Sequence, residues 1–178
     1  AMDTLLKAIE AAGYTPGKDV HLAMDAAASE FHSDGVYELD GKRLSPGEIV
    51  DFYVALSKEY PLISLEDPVQ EDAFGDMAEL TRKVGGRLQL VGDDLFVTNP
   101  SRLQKGIEAR AGNAMLLKVN QIGTVSEAVR AARICYDNKY RVMVSHRSGE
   151  SEDTTMADLA VGLECGQIKS GAPARTER

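Results

Sequence analysis

The chain lacks the features that mark several large protein classes. No apolar run approaches the length of a membrane span, and no signal-peptide pattern is visible. Cysteine is scarce: Cys135 and Cys165 are the two present, both in helix-like segments, which predicts reduced, buried thiols rather than a disulfide or metal site. Basic charge is in deficit. A net charge of −8 and a pI near 4.9 argue against nonspecific binding to nucleic acid or anionic membranes. The glycine fingerprints of dinucleotide and Walker-type nucleotide sites are missing. So are low-complexity linkers, short internal repeats and a clear second domain.

What is present is an ordinary globular composition. Of 178 residues, 43% are hydrophobic and 27% charged, enough for one domain with a sizeable core. Strand and helix signals alternate along it. Helices are expected over 3–12, with Leu5, Leu6 and Ile9 on one stripe stopped by Gly13, and over 46–59, where Ser45-Pro46-Gly47-Glu48 joins a capping box to a first-turn proline. Further helices are expected over 72–84, from Asn99-Pro100, after the capping pair Thr124 and Glu127, and over 154–165. In the helix after Thr124, Val125, Val129, Ala132 and Tyr136 are read as the apolar face. Strands are expected over 20–25, 62–66, 88–93, 114–118, 141–145 and 167–169, with a hairpin turning at Asp40-Gly41.

Strands alternating with helices imply an α/β fold with parallel pairing and right-handed crossovers. Charge placement selects among such folds. The runs DVHLAMD, PLISLED and RLQLVGDD end on Asp25, Glu66 with Asp67, and Asp93 with Asp94, and AMLLKVN carries Lys118 near its end. In a β/α barrel all strand C-termini open onto one face, which carries the active site. A closed barrel has about eight strands in roughly 250 residues. The reading is therefore a TIM-type β/α barrel, incomplete, with about six of its eight strands.

Three carboxylates at successive strand ends, Asp25, Glu66 and Asp93, make an oxygen-rich site suited to Mg²⁺. The absence of thiolates and imidazoles there disfavours zinc. Lys118 must either pair with one of these acids or act as a base, and a nearby cation and a second lysine would disfavour its ammonium form. VSHRSGESEDT supplies His146, Arg147 and Ser148, which suit a phosphate or carboxylate, and the same segment reads as a polar helix N-terminal loop with Glu152, Asp153 and Thr154 as caps. Lys169 ends the last strand in a glycine-rich turn and could face the same metal-bound acid as Lys118.

LAMDAAASEF, SLEDP, VGDDLFVTNP, LLKVNQIGT, VSHRSGESEDT and GQIKSGAPARTER together resemble the enolase family, the phosphopyruvate hydratases, across essentially the whole chain. Departures are minor: Ala26 where valine is common, Phe74 near a usual tryptophan, and Ala174 and Thr176 in the last segment. The resemblance implies the enolase-superfamily barrel and reversible dehydration of 2-phosphoglycerate to phosphoenolpyruvate. It implies that Asp25, Glu66 and Asp93 hold Mg²⁺, Lys118 removes the C2 proton, and Lys169 binds the substrate carboxylate. His146, Arg147 and Ser148 then hold substrate, Glu66 lies close to it, and a cytoplasmic homodimer is expected, with a cell-surface location as a secondary one. It further implies that an N-terminal α+β domain, the first barrel strands with the acid half of the site, and a final helix lie outside this chain. Another superfamily enzyme acting on a different carboxylate, or a non-enzymatic binding protein, are the alternatives.

Overall fold

The computed structural model describes residues 1–147, 149 and 152–171. Ser148 and the segment 172–178 lie outside the described residues. In chain order the elements are α1 (Met2–Ala11), β1 (Leu22–Asp25), a short 3-10 turn (Ala28–Phe31), β2 (His32–Ser33), β3 (Val36–Leu39), β4 (Lys42–Leu44) and α2 (Pro46–Glu59). There follow β5 (Leu62–Glu66), α3 (Phe74–Val84), β6 (Gln89–Gly92), α4 (Pro100–Ala109), β7 (Ala114–Leu117) and α5 (Val119–Ile122). The last are α6 (Val125–Asp137), β8 (Arg141–Ser145), α7 (Thr155–Gly162) and β9 (Ile168–Lys169).

Local chemistry sets the helix starts. Ser45 and Glu48 close a reciprocal capping box, with Pro46 at the first helical position where no N–H is required. Asn99 accepts from the N–H groups of Ser101 and Arg102 and is likewise followed by proline. Thr124 accepts from the Glu127 N–H at 3.2 Å. The hairpin β3–β4 turns at Asp40-Gly41 as expected, both residues having positive φ.

The principal sheet is parallel, in the order β1-β5-β6-β7-β8-β9, and β2–β4 form a separate antiparallel sheet. Six flat strands at about 4.8 Å spacing would hold β1 and β9 roughly 24 Å apart. Yet Lys169 Nζ of β9 lies 2.8 Å from Asp25 Oδ2 of β1. Beside β9, Gln167 exchanges side-chain bonds with Gln89 of β6. The sheet is therefore curled into an open barrel whose far strands touch across the interior.

Strand parity gives that interior three layers. At the base, Gln89 donates to Ser64 and to Gln167. Above them Val91, Ala114 and Leu116 form a small apolar cluster with Met143. Two residues beyond Ser64, Val91, Leu116 and Gln167 come Glu66, Asp93, Lys118 and Lys169, so the charged rim continues the inward-facing rows. The opposite parity, Leu65, Leu90, Met115, Leu117, Val142 and Val144, joins the larger core beneath the helices. A strand buried on both faces reads as an unbroken apolar run in β7, AMLL, whereas β6, equally buried, opens on Gln89, whose amide is hydrogen-bonded.

Several expectations are corrected. The first strand begins at Leu22 rather than Val20, which is 37% exposed and bridges Pro16 instead. In α1, Leu6 and Ile9 pack on the core but Leu5 is 53% exposed. The buried face of α6 is Ala128, Ala131, Ala132 and Cys135; of the expected face Ala132 is buried and Val129 partly so, but Val125 and Tyr136 are exposed. Small side chains let that helix lie close to the sheet, while the Tyr136 hydroxyl reaches out to donate to the Leu163 carbonyl. Cys135 is buried, and burial pushes its thiol up to about 12. Cys165 is only partly buried and lies beyond the end of α7.

Phe96 is fully buried between Gly92 at the end of β6 and Gly106 in α4. A methyl group on Gly106 would meet the Phe96 ring at 2.3 Å. In an exposed helix, glycine to alanine stabilises by about 1 kcal/mol. Here the sign reverses: Gly106→Ala is expected to lower stability by about 1–3 kcal/mol through overpacking. Urea unfolding followed by circular dichroism checks this, and a gain in stability would contradict the Phe96 packing.

Candidate active site at the strand C-termini

Parallel order brings the predicted carboxylates to adjacent strand ends. Asp25 and Glu66 are register partners on β1 and β5, and Asp93 follows β6, the next strand. Across the barrel, Lys169 Nζ contacts Asp25 Oδ2 at 2.8 Å and Glu66 Oε1 at 2.7 Å. Lys118, just past β7, forms an ion pair with Asp93 Oδ2. Thus three acids and two lysines from separate parts of the chain form one cluster, with each lysine seated on the carboxylates.

The electrostatics follow from burial. The Glu66 side chain is 6% exposed. Burial, helped by the charges of Asp25 and Asp93, pushes its carboxyl up to about 7 against the pull of Lys169. Burial also works against the Lys169 ammonium, but its bonds to Asp25 and Glu66 outweigh this and hold its pKa above the ordinary lysine value. Carboxylates crowded at low exposure call for positive charge, and ammonium groups supply it here.

Beside this cluster opens a cavity of about 470 Å³, lined by Asp25, Lys118, Lys169, His146, Arg147 and Asn120 among others. His146 is carried by the end of β8, where its N–H donates to the Lys169 carbonyl. Arg147 donates to Asn120 Oδ1 at 3.1 Å. His146 and Arg147 therefore share the cavity with both lysines, while Ser148 lies outside the described residues. His21 and His32 are elsewhere; His32 stacks against Tyr37 in the small sheet, 4.7 Å between centroids.

The tightest group of carboxylate oxygens among the described residues is not the predicted trio but Asp67, Asp93 and Asp94, within 4.8 Å of one another. Asp67 has a different local role. Its parity is opposite to that of Glu66, and its two oxygens accept the N–H groups of Asp93 at 2.9 Å and Asp94 at 2.7 Å. Its own N–H donates to Val91 and its carbonyl accepts from Ala28. Asp67 thus ties the ends of β1, β5 and β6 together, and its left-handed backbone, φ 40°, turns the chain to do so. Burial pushes its carboxyl up to about 7 against those two N–H bonds.

Sequence reading left Thr98 and Gln121 without roles. Thr98 is fully buried, and its hydroxyl meets the Lys118 N–H and Gln121 Oε1, both at 2.9 Å. Gln121 Nε2 donates to Asp93 Oδ1 at 2.9 Å. Their only signal was position: Gln121 stands three residues after Lys118, and Thr98 precedes a helix cap.

Replacing Asp67 by alanine would strand two largely buried N–H donors, each costing about 1–3 kcal/mol. Asp67→Ala is therefore expected to destabilise the chain by at least about 2 kcal/mol. Asp67→Asn, which keeps one acceptor, should cost less. Chemical denaturation of both variants checks the order, and equal stability of Asp67→Ala and the parent would refute the clamp.

Comparison with known proteins agrees with this architecture. The family description "Enolase, C-terminal TIM barrel domain" matches residues 1–178. An enolase of Methanopyrus kandleri is 55% identical over 179 residues, covering 99% of this chain but 42% of the relative. The chain thus spans less than half the length of that curated relative. It belongs to the enolase family, within the C-terminal TIM-barrel domain.

Proposed function

We propose that this chain carries the metal- and base-bearing part of an enolase active site, and that the full-length protein interconverts 2-phosphoglycerate and phosphoenolpyruvate. The single observation behind this is the convergence of Lys118 and Lys169 on Asp25, Glu66 and Asp93 beside one cavity. The relative's name, "Enolase", supports the same reading.

Asp25, Glu66 and Asp93 fit a hard cation. Their donors are all carboxylate oxygens, as Mg²⁺ prefers, and they already attract ammonium groups. Bound to those residues, Mg²⁺ would supply Lewis-acid charge to a substrate carboxylate. A lysine or histidine base paired with Mg²⁺ is the established scheme of this superfamily. In this chain Lys118 is the base that takes the C2 proton. Lys169, on the opposite strand, binds the substrate carboxylate as negative charge builds there. Arg147 offers a planar fork to the phosphate, with Ser148 and His146 completing that side.

The chain is read as about six of eight barrel strands. Among the described residues, β1 and β9 each have one side without a neighbouring strand in the principal sheet. The remaining strands, the acid that expels the 3-hydroxyl and the family's N-terminal domain are assigned to a longer protein, acting as a cytoplasmic homodimer.

Absorbance of phosphoenolpyruvate formed from 2-phosphoglycerate with Mg²⁺ tests the reading. The full-length protein should turn over and the isolated chain should show little activity. Turnover of a non-phosphorylated acid in preference to 2-phosphoglycerate would replace the substrate assignment. In the full-length protein, Lys118→Ala should abolish exchange of the C2 proton with solvent, and retained exchange would remove Lys118 as base.

A further inference from the structure

Asp93 and Lys118 follow different strands, yet two uncharged side chains link them: Gln121 bonds the Asp93 carboxylate and Thr98 the Lys118 N–H. Lys118 opens α5, a single turn in which the Gln121 N–H donates to the Lys118 carbonyl. That turn places Gln121 beside the lysine it follows. From the other side comes Thr98, in the loop between β6 and α4.

Donor and acceptor counting gives this contact a direction. The Lys118 backbone N–H can only donate, and it donates to Thr98 Oγ1. The Thr98 hydroxyl has one proton left to place. Gln121 Oε1 is its nearer acceptor at 2.9 Å, against 3.4 Å for the Leu116 carbonyl. With its oxygen so engaged, Gln121 must turn its NH₂ the other way, where Nε2 reaches Asp93 Oδ1. A backbone N–H therefore dictates which end of an amide faces a carboxylate three bonds away. Lys118 Nζ takes the other oxygen, Oδ2.

Backbone strain is a second, independent sign. Val97 and Thr98 both have left-handed φ, 44° and 54°. For β-branched residues this is a true outlier, costing about 1–3 kcal/mol each. A glycine would sit there without strain but would bring no hydroxyl.

We propose that Thr98 and Gln121 are positioning residues for the Asp93–Lys118 pair. Through a hydroxyl–amide relay oriented by the Lys118 N–H, they fix the rotation of Asp93 and the spacing between that carboxylate and the Lys118 amine. The proposal rests on the reading of Asp93 as cation ligand and Lys118 as base.

The test uses the full-length protein with Thr98→Val, Thr98→Ser and Gln121→Met. Removing an orienting partner of a metal ligand typically costs about 10–100-fold in metal affinity or activity. Thr98→Val and Gln121→Met should each lower kcat and C2 proton exchange by about 10–100-fold and weaken Mn²⁺ binding, read by electron paramagnetic resonance, by at least about tenfold. KM should stay within about threefold, because substrate contacts are untouched. Thr98→Ser, which keeps the hydroxyl, should recover most of the loss. A purely structural role would lower thermal stability while leaving kcat and Mn²⁺ affinity of the folded protein unchanged. If Thr98→Val does not fold, Gln121→Met decides the matter, since Gln121 is only half-buried. Folded Gln121→Met with parental exchange and Mn²⁺ affinity would overturn the relay, provided Lys118→Ala is inactive. Exchange that survives Lys118→Ala would overturn the base assignment and the relay with it.

Discussion

The contact of Lys169 with Asp25 and Glu66 is the constraint on which the rest of the architecture turns. It joins the last strand of the sheet to the first, across the barrel interior, at 2.8 and 2.7 Å. A flat sheet could not make it. Curling is therefore not an incidental twist but the condition under which these charges meet. The cost of burying the Glu66 carboxylate is offset only in part by the ammonium that the curl delivers, so burial still holds its pKa up at about 7.

The same curl explains why the interior is layered. Inward-facing rows carry amides at the base, aliphatic side chains in the middle and charge at the rim. The Gln89–Gln167 exchange repeats at the base what Lys169 does at the top, a bond between strands that are not neighbours. Between these polar layers the Val91, Ala114, Leu116 and Met143 cluster keeps the strands from sliding. One residue's shift in register would send the charged row into the helix-facing core, so the apolar and charged layers enforce one register together.

The groups proposed to bear function fall into two kinds by this geometry. Asp25, Glu66, Asp93, Lys118 and Lys169 face the open end of the barrel. Asp67, Thr98 and Gln121 hold them there. Asp67 secures the backbone of the β6 end, and Gln121, itself held by Thr98, meets the side chain of Asp93. Oxygen-only donors, two opposed lysines and an adjacent cavity suit a phosphorylated hydroxy acid that loses a proton, the chemistry proposed for the full-length protein.

Much of this was legible along the chain because it depends on short-range rules. Ser45, Pro46 and Glu48 announce a helix start wherever they occur, and 62–66 reads as a buried strand from composition alone. The charged strand ends were visible because charge after an apolar run is costly in a core. What failed were choices among equally apolar faces. In α6, bulk pointed to Val125 and Tyr136, whereas close approach to the sheet selected Ala128, Ala131 and Cys135. Asp67 looked like a second Glu66, but adjacent strand residues point to opposite faces. The amino-acid sequence by itself determined the alternation of strands and helices, the helix caps and the acids and lysines that end the strands, since each is set by neighbours within a few residues. Only the tertiary structure decided which lysine meets which acid, that Asp67 binds backbone rather than facing the cavity, and that Thr98 and Gln121 belong to the site. Those partners are separated by tens of residues, and only the curl of the sheet brings them within hydrogen-bonding distance.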